Sequence, residues 1–289
     1  MASALLARLS GASASGADWG DWFNGISDPG VVLDAGLNDN PNKLVVDISC
    51  GDFACVARFS DGTATAWGHE PFGGLAPDEL SNGAKDVVDI SCGGYACVAR
   101  FSDGTATAWG DDNRGGDPPD ELSNGDKNVV DISCGIPFGL RYGGACVARF
   151  SGGSATAWGN DIHGGDPPAS VDLSENVVDI SCGGHACVAR FSDGTATAWG
   201  EYNRGGDPPD ELSNGEKNVV DISCGGFACV ARFSDGTAKA WGNPEYGGTG
   251  PSELSDESKE VVDISCGIWA CVARFSDGSA KAWGKDIHG

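Results

Sequence analysis

Residues Val87–Gly110 read VVDISCGGYACVARFSDGTATAWG, and close copies of this phrase fill most of the chain. The copies span Val45–Gly68, Val87–Gly110, Val129–Gly159, Val177–Gly200, Val219–Gly242 and Val261–Gly284. The first cysteines of successive copies are separated by 42, 42, 48, 42 and 42 residues. A fixed period in this range is typical of repeat architectures, in which each copy is one supersecondary unit. The sequence therefore predicts six repeats over residues 45–284.

Each repeat predicts three strands, because its apolar residues alternate and are rich in β-branched types. In the first repeat these strands are Val45–Ser49, Cys55–Phe59 and Thr63–Trp67. The Asp-Gly pair at Asp61 joins the last two strands, and it favours a type I′ hairpin turn. The linkers are rich in Gly, Pro, Asp and Asn and predict loops. One linker also predicts a short edge strand at Asp120–Leu122.

Alternation assigns a face to each side chain. Val46, Ile48 and Cys50 are predicted to share one side of the first strand. Charged residues on the other side then meet across the two strands, and a charge pressed between sheets must be paired. We predict structural ion pairs at Asp47/Arg58, Asp89/Arg100, Asp131/Arg149, Asp179/Arg190, Asp221/Arg232 and Asp263/Arg274.

The ends of the chain carry weaker copies of the pattern. Residues 4–20 resemble a degenerate hairpin that ends on Asp18-Trp19-Gly20, and residues 21–44 then form the first linker. An Ala/Ser-rich leader is the alternative interpretation of this stretch. Residues 285–289 match the start of a linker and stop within it. We predict one domain over residues 1–289.

The charge balance limits the classes of partner. The chain has 18 Lys and Arg against 42 Asp and Glu, which gives a formal net charge of −24. Neither nucleic acid nor an anionic membrane is expected to bind, because phosphate backbones require clustered Lys and Arg. We expect a cytoplasmic monomer that binds a protein, preferably a basic one. An N-terminal transit peptide is the alternative for its location.

The twelve cysteines occur two per repeat, five pairs as C-x4-C and one pair, Cys134 and Cys146, widened by an insertion. Buried free thiols that pack as small apolar groups are the favoured interpretation. Disulfides, such as Cys50 with Cys55, and metal ligation are the alternatives. The histidines stand at variable positions in predicted loops and form no metal-binding pair in the sequence. We therefore predict no metal site, no cofactor and no catalytic residue.

The repeated phrase resembles the repeats of the regulator of chromosome condensation (RCC) family. The matching residues are Ser91-Cys92-Gly93-Gly94, Val98-Ala99, Ser102-Asp103-Gly104 and Ala108-Trp109-Gly110. The resemblance implies an all-β, seven-bladed β-propeller with small antiparallel sheets around a channel. Six blades would come from the clear repeats and the seventh, an incomplete one, from the N-terminal hairpin.

Positions that differ between otherwise near-identical repeats are the best indication of function. The turn between the first two strands carries Phe53, Tyr95, His185, Phe227 and Trp269. In the third repeat an insertion at this turn includes Phe138, Arg141 and Tyr142. Equivalent turns of a propeller lie on one face, and aromatic residues with Arg are enriched in binding centres. We predict these eight as partner-binding residues; the alternative is that each aromatic packs against the neighbouring blade.

A second variable set follows each Trp-Gly pair, as at residues 70–72, 111–114, 161–163 and 202–204 and at Glu245 and Tyr246. The sequence as a whole predicts a non-enzymatic protein-binding propeller or scaffold. The resemblance also implies an alternative, a guanine-nucleotide exchange factor or regulator for a small GTPase.

Overall fold

The computed structural model describes residues 43–136 and 144–285. In these ranges the chain forms six antiparallel sheets of three strands each, one per repeat and in chain order. We number them blade 1 to blade 6. The predicted N-terminal hairpin at residues 4–20 lies outside the described residues, so a seventh blade stays a prediction. Among the described residues, no helix has the length and apolar character needed to cross a membrane.

The strands keep the same bounds from blade to blade. The first strands are β1 (Val45–Cys50), β4 (Val87–Cys92), β7 (Val129–Cys134), β10 (Val177–Cys182), β13 (Val219–Cys224) and β16 (Val261–Cys266). The middle strands are β2 (Ala54–Phe59), β5 (Ala96–Phe101), β8 (Ala145–Phe150), β11 (Ala186–Phe191), β14 (Ala228–Phe233) and β17 (Ala270–Phe275). The third strands are β3 (Ala64–Gly68), β6 (Ala106–Gly110), β9 (Ala155–Gly159), β12 (Ala196–Gly200), β15 (Ala238–Gly242) and β18 (Ala280–Gly284).

The linkers contain short 3₁₀ helices. The first follows the Trp-Gly pair and spans Glu70–Phe72, Asp112–Arg114, Asp161–His163, Tyr202–Arg204 or Pro244–Tyr246. A second spans Asp78–Leu80, Asp120–Leu122, Asp210–Leu212 or Ser252–Ser255. The edge strand predicted at Asp120–Leu122 is therefore wrong. Pro119 precedes this segment and accepts a hydrogen bond from the Leu122 N–H, which closes a helical turn and buries the leucine.

The hydrophobic core is divided into clusters that lie between consecutive blades. Between blades 2 and 3, Val98 of β5 packs with Val129 and Ile132 of β7, and the linker residue Leu122 fills the same space. The opposite face of β5, with Ala99 and its neighbours, packs against blade 1. A middle strand is therefore buried on both faces, which explains why its sequence is almost entirely apolar.

A β-bulge changes the faces of the first strand. In β4, Val87 pairs with Phe101 and Asp89 pairs with Arg100, so two valines lie opposite one partner position. Val87 is consequently buried, and Val88 only half-buried. The predicted grouping of the second valine with the isoleucine and cysteine is wrong, because the bulge turns the first valine towards the core instead.

The Asp-Gly hairpin differs from the predicted type I′ turn. In blade 2 only Gly104 has a positive φ, 83°, whereas Asp103 does not. The Gly104 N–H bonds to the Phe101 carbonyl, and the Phe101 N–H bonds to the Thr105 carbonyl. This pattern is a three-residue loop with glycine in the left-handed position. The Asp103 carboxylate accepts hydrogen bonds from the backbone and side chain of Thr105 at 2.9 and 2.6 Å.

The favoured interpretation of the cysteines as free thiols is also wrong. All twelve are joined in pairs between a first and a middle strand: Cys50–Cys55, Cys92–Cys97, Cys134–Cys146, Cys182–Cys187, Cys224–Cys229 and Cys266–Cys271. The two cysteines of each pair lie directly opposite in the ladder, with Cα atoms 4.0–4.1 Å apart. Each disulfide closes the turn that carries the variable residue.

The blades at the two ends of the described array have free faces. Val272 of blade 6 is 40 % exposed, whereas its equivalents Val98 and Val230 are fully buried. The difference arises because Val98 and Val230 are covered by the next blade along the chain, and Val272 has no following blade among the described residues.

Candidate binding face between the blades

The two variable sets of the sequence meet between consecutive blades. Phe72, the last residue of the 3₁₀ helix after blade 1, contacts Tyr95 in the turn of blade 2, with ring centroids 5.1 Å apart. The same positions pair at the later interfaces as His163/His185, Arg204/Phe227 and Tyr246/Trp269. The two sets therefore form one row of side chains along a single face.

The turn residues predicted to bind a partner are largely covered by this packing. Tyr95 is 1 %, His185 0 % and Phe227 8 % exposed, while Phe53 and Trp269 are half-buried. Three turn residues also touch the turn residue of the next blade: Phe53 meets Tyr95 at 5.1 Å, His185 meets Phe227 at 4.9 Å, and Phe227 meets Trp269 at 5.6 Å. Phe138, Arg141 and Tyr142 lie outside the described residues.

Cations extend the row of aromatic rings. Arg114 lies over the Tyr95 ring at 4.1 Å, and Lys285 lies over the Trp269 ring at 5.1 Å. Burial raises the pKa of Tyr95, although the nearby Arg114 charge acts in the opposite direction. These contacts are cation–π interactions, and each holds a linker cation against the turn of the blade that it follows. Arg204 instead lies over the Phe227 ring of the next blade, at 5.1 Å.

The first two residues of each 3₁₀ helix after Trp-Gly point outward, and two of them form an apolar site. Ile162 is 67 % and Tyr202 68 % exposed, and both line an open groove of about 780 Å³ between the linkers after blades 3 and 4. The carboxylates of Asp161, Asp166 and Glu201 also line this groove. It therefore offers large apolar side chains among negative charges.

Next to the groove, His163 and His185 are buried against each other. Their Nδ1 atoms lie 2.9 Å apart, and the Glu201 Oε2 atom lies 3.2 Å from the Nδ1 of His185 and 3.8 Å from that of His163. Burial lowers the pKa of His163 to about 4, helped by the Arg204 charge. Burial, with His163 and Arg204 nearby, lowers the pKa of His185 to about 3. Both imidazoles are neutral at pH 7.

The sequence prediction missed this cluster because its members are far apart in the chain and belong to different variable sets. One signal in the sequence was available. The residue after Trp-Gly is Asp111, Asn160 or Asn243 in three repeats, and there its short side chain caps the 3₁₀ helix. Glu201 occupies the position in blade 4 and makes no capping hydrogen bond, so its carboxylate reaches the histidines.

The Asp and Arg residues predicted to pair lie opposite each other in all six blades. Their closest N–O distances are 4.0 Å for Asp47/Arg58, 3.8 Å for Asp89/Arg100, 3.7 Å for Asp131/Arg149, 3.4 Å for Asp179/Arg190, 3.6 Å for Asp221/Arg232 and 3.6 Å for Asp263/Arg274. Burial raises the pKa of Asp131 and of Asp221, while the paired arginine lowers it in each case. Nothing about the geometry of these pairs assigns them to a ligand.

The surroundings of the ion pair in blade 6 differ from those in the other five blades. The arginine side chains of blades 1 to 5 are only 23–25 % exposed, as expected for charges that lie between sheets. Arg274 and Asp263 are 58 % and 60 % exposed. No following blade covers this pair among the described residues, so its predicted position between two sheets stays a prediction.

The Asp–Arg pairs do not satisfy all of their buried polar atoms with hydrogen bonds. The Nε atom of the arginine is buried without a hydrogen-bond partner in four blades, at Arg58, Arg100, Arg149 and Arg232. In blade 4 the Arg190 Nε atom donates to the Asp179 carboxylate at 3.4 Å. Since a buried pair stabilises a fold only when its geometry is good, these pairs contribute charge balance more than stability.

The family model for the regulator of chromosome condensation (RCC1) repeat matches residues 87–115 and 219–247. These stretches begin with the first strands of blades 2 and 5, and the other four blades carry the same phrase. The resemblance predicted from the sequence is thereby confirmed for these two stretches, which match the RCC1 repeat. A search of curated protein sequences found no match.

Solved structures show the same fold. Human WBSCR16 aligns at a TM-score of 0.59 and 16 % identity, over 86 % of this chain and 78 % of that one. Prp20p from Saccharomyces cerevisiae aligns at 0.59 and 17 %, over 83 % and 72 %. The CRINKLY WD40 ectodomain of the receptor kinase ACR4 from Arabidopsis thaliana aligns at 0.56 and 16 %, over 84 % and 80 %. The predicted all-β, RCC-type β-propeller is confirmed.

Proposed function

We propose that the chain is a non-enzymatic β-propeller that binds a basic protein through the groove between blades 3 and 4. The observation that carries this proposal is the exposure of Ile162 and Tyr202 at variable positions on either side of one concave surface. Tyrosine is among the residues that contribute most to protein–protein affinity when it becomes buried by a partner.

The charge of the groove favours a basic partner. Asp161, Asp166 and Glu201 line it, and the whole chain carries a formal net charge of −24. Such a surface attracts cationic partners and speeds their association, and salt screens the attraction. In this proposal the buried turn residues, Tyr95 and its equivalents, hold the linkers in place and do not touch the partner.

The experiment is a quantitative pull-down followed by affinity measurement on the partner it identifies. The test variant is Ile162→Ala with Tyr202→Ala, and the matched control is Leu75→Ala, a residue that is 67 % exposed on the linker after blade 1. We expect the control to keep the partner and the double variant to lose at least about tenfold in affinity, as for an interface centre. Equal binding by both variants contradicts the proposal.

A regulator of a small GTPase is the second candidate. It is favoured by the structural likeness to Prp20p, whose solved structure was described together with its binding to Gsp1p and histones. The test is release of a labelled guanine nucleotide from a panel of small GTPases with and without the protein. Accelerated release by any member supports this candidate, and unchanged release across the panel excludes it in favour of the scaffold.

A further inference from the structure

We propose that His163, His185 and Glu201 form a binding site for a divalent transition metal ion of the Zn²⁺ type. This inference goes beyond the protein-binding proposal and does not depend on it. Among the described residues, this is the one group of three metal-ligating side chains whose ligand atoms all lie within 4.8 Å of one another.

The geometry suits a tetrahedral ion. Zn²⁺ bonds to imidazole nitrogen and carboxylate oxygen at about 2.0–2.2 Å, which places two ligand atoms of a tetrahedron roughly 3.3–3.6 Å apart. The three separations here are 2.9, 3.2 and 3.8 Å, on either side of that value. Small side-chain rotations therefore bring all three atoms to bonding distance of one point. Glu201 also lines the groove, so a fourth position has access to water.

Metal binding requires a free lone pair on each ligand nitrogen, which a neutral imidazole provides. With the two Nδ1 atoms 2.9 Å apart, one must carry a proton that the other accepts. Binding of the ion converts that ring to its other neutral tautomer, so that its proton moves from Nδ1 to Nε2 and each ring carries its one proton at Nε2. Two imidazoles with one carboxylate form a ligand set that zinc sites use.

Arg204 competes with the ion. Its Nη1 atom lies 3.1 Å from the Glu201 Oε2 atom and 3.3 Å from the Nε2 atom of His185. Its positive charge therefore stands beside the position that the ion would take. The guanidinium also lies over the Phe227 ring at 5.1 Å, which offers it an apolar support when the carboxylate is given up. We expect Arg204 to weaken binding, and its removal to strengthen it.

The chain itself supplies variants that preserve the packing. The positions of His163 and His185 are occupied by Phe72 and Tyr95 at the interface between blades 1 and 2, where the two rings pack edge to face. His163→Phe with His185→Tyr therefore removes both nitrogen ligands while restoring a pair that this fold already accepts. His69→Ala is the control, because His69 is exposed and lies in another linker.

The experiment titrates Zn²⁺ and Co²⁺ into chelator-treated full-length protein by calorimetry and visible spectroscopy, without reductant so that the disulfides stay closed. We expect one ion per chain and the absorption bands of four-coordinate Co²⁺. The double histidine variant should lose at least about a hundredfold in affinity, since even outer-shell partners contribute 10–100-fold. Arg204→Met should bind more tightly, and His69→Ala should match the wild type.

Two results would overturn the site. One is the absence of saturable binding by the wild-type protein. The other is binding that the double histidine variant retains unchanged, which would place the ion on surface carboxylates. A circular dichroism spectrum and melting transition close to those of the wild type keep the variant informative, because loss of binding then cannot come from unfolding.

Discussion

Between blades 1 and 2, Phe72 meets Tyr95 edge to face at 5.1 Å; between blades 3 and 4, His163 meets His185 in a similar arrangement at 4.5 Å. The backbone positions are equivalent in the two interfaces. One interface buries an apolar pair and the other a polar pair. The repeated strands and linkers therefore form a constant backbone frame, and two side chains decide whether an interface between blades is apolar or polar.

The charged residues near the two interfaces differ by one methylene group, because Asp111 stands at one interface where Glu201 stands at the other. Both carry an acidic residue after Trp-Gly and an arginine three positions later. Asp111 bonds to the Asn113 N–H of its own helix, and Arg114 lies over Tyr95. Glu201 is longer, makes no such cap, and extends to His185 at 3.2 Å. The Glu201 carboxylate therefore contacts the histidine pair, whereas the Asp111 carboxylate caps its own 3₁₀ helix.

The largest expected effect comes from emptying the apolar interface. Tyr95→Ala should destabilise the fold by about 3–5 kcal/mol, the usual cost of truncating a buried aromatic ring, because Phe53 and Phe72 lose their shared neighbour. The measurement is urea unfolding followed by tryptophan fluorescence.

The matched control for this truncation is Tyr202→Ala. Tyr202 is 68 % exposed, so we expect its loss to change stability by less than about 0.5 kcal/mol. If Tyr95→Ala lowers the free energy of unfolding no more than Tyr202→Ala does, the turn residues do not stabilise the interface between blades. That result would favour the prediction that they bind a partner.

The second expected effect is a coupling between the two histidines. His163→Phe alone should cost about 1–3 kcal/mol, because it leaves the buried Nδ1 of His185 without its histidine partner. Adding His185→Tyr should recover most of that loss, since replacing both polar partners by a well-packed pair is nearly neutral. The four unfolding free energies of a double-mutant cycle give the coupling directly.

Purely additive losses in that cycle would contradict the comparison of the two interfaces. They would indicate that each histidine is stabilised by its own surroundings, such as Glu201 and Arg204, and not by the other ring. The cycle is measured in the presence of a chelator, so that any bound metal ion does not add to the coupling.

The frame could be predicted from the sequence, because it depends on local patterns. The 42-residue period, the three strands of each repeat and the opposition of Asp89 to Arg100 all follow from alternation within about 25 residues of chain. The core between blades also follows, since a middle strand such as β5 is apolar on both sides. These features recur in every repeat, so the signal is strong.

The contacts between blades, the bulge, the hairpin loop and the disulfides could not be predicted in the same way. Whether Tyr95 is exposed depends on Phe72 of the preceding linker, and no pattern within one repeat encodes that contact. The bulge at Val87 and the glycine-centred loop at Gly104 change faces by a single residue, which alternation alone does not resolve. The cysteines were ambiguous because C-x4-C spacing fits both free and bonded thiols until the strand register is known.

The smallest expected effect concerns the Asp-Gly hairpins of blades 2 and 4. In blade 2, Lys85 lies 3.1 Å from Asp103 and covers the Phe101 ring; in blade 4, Glu175 stands in place of the lysine, and Phe191 is less buried. Glu175→Lys should bring an ammonium group to Asp193 and stabilise the fold by about 0.2–1 kcal/mol at pH 7 and low salt.

The gain should depend on pH in a defined direction. Hydrogen bonds from Thr195 already lower the pKa of Asp193 below its ordinary value of 3.8, and a lysine lowers that pKa further. The carboxylate's contribution is therefore complete above pH 3.8 and is lost as the pH falls through the folded-state pKa. Glu175→Gln, which removes the negative charge without adding a partner, is the control. If Glu175→Lys and Glu175→Gln are equally stable at pH 7 and respond alike to acid, an ion pair at this position contributes nothing. Lys85 then stabilises blade 2 only through the packing of its aliphatic stem on Phe101.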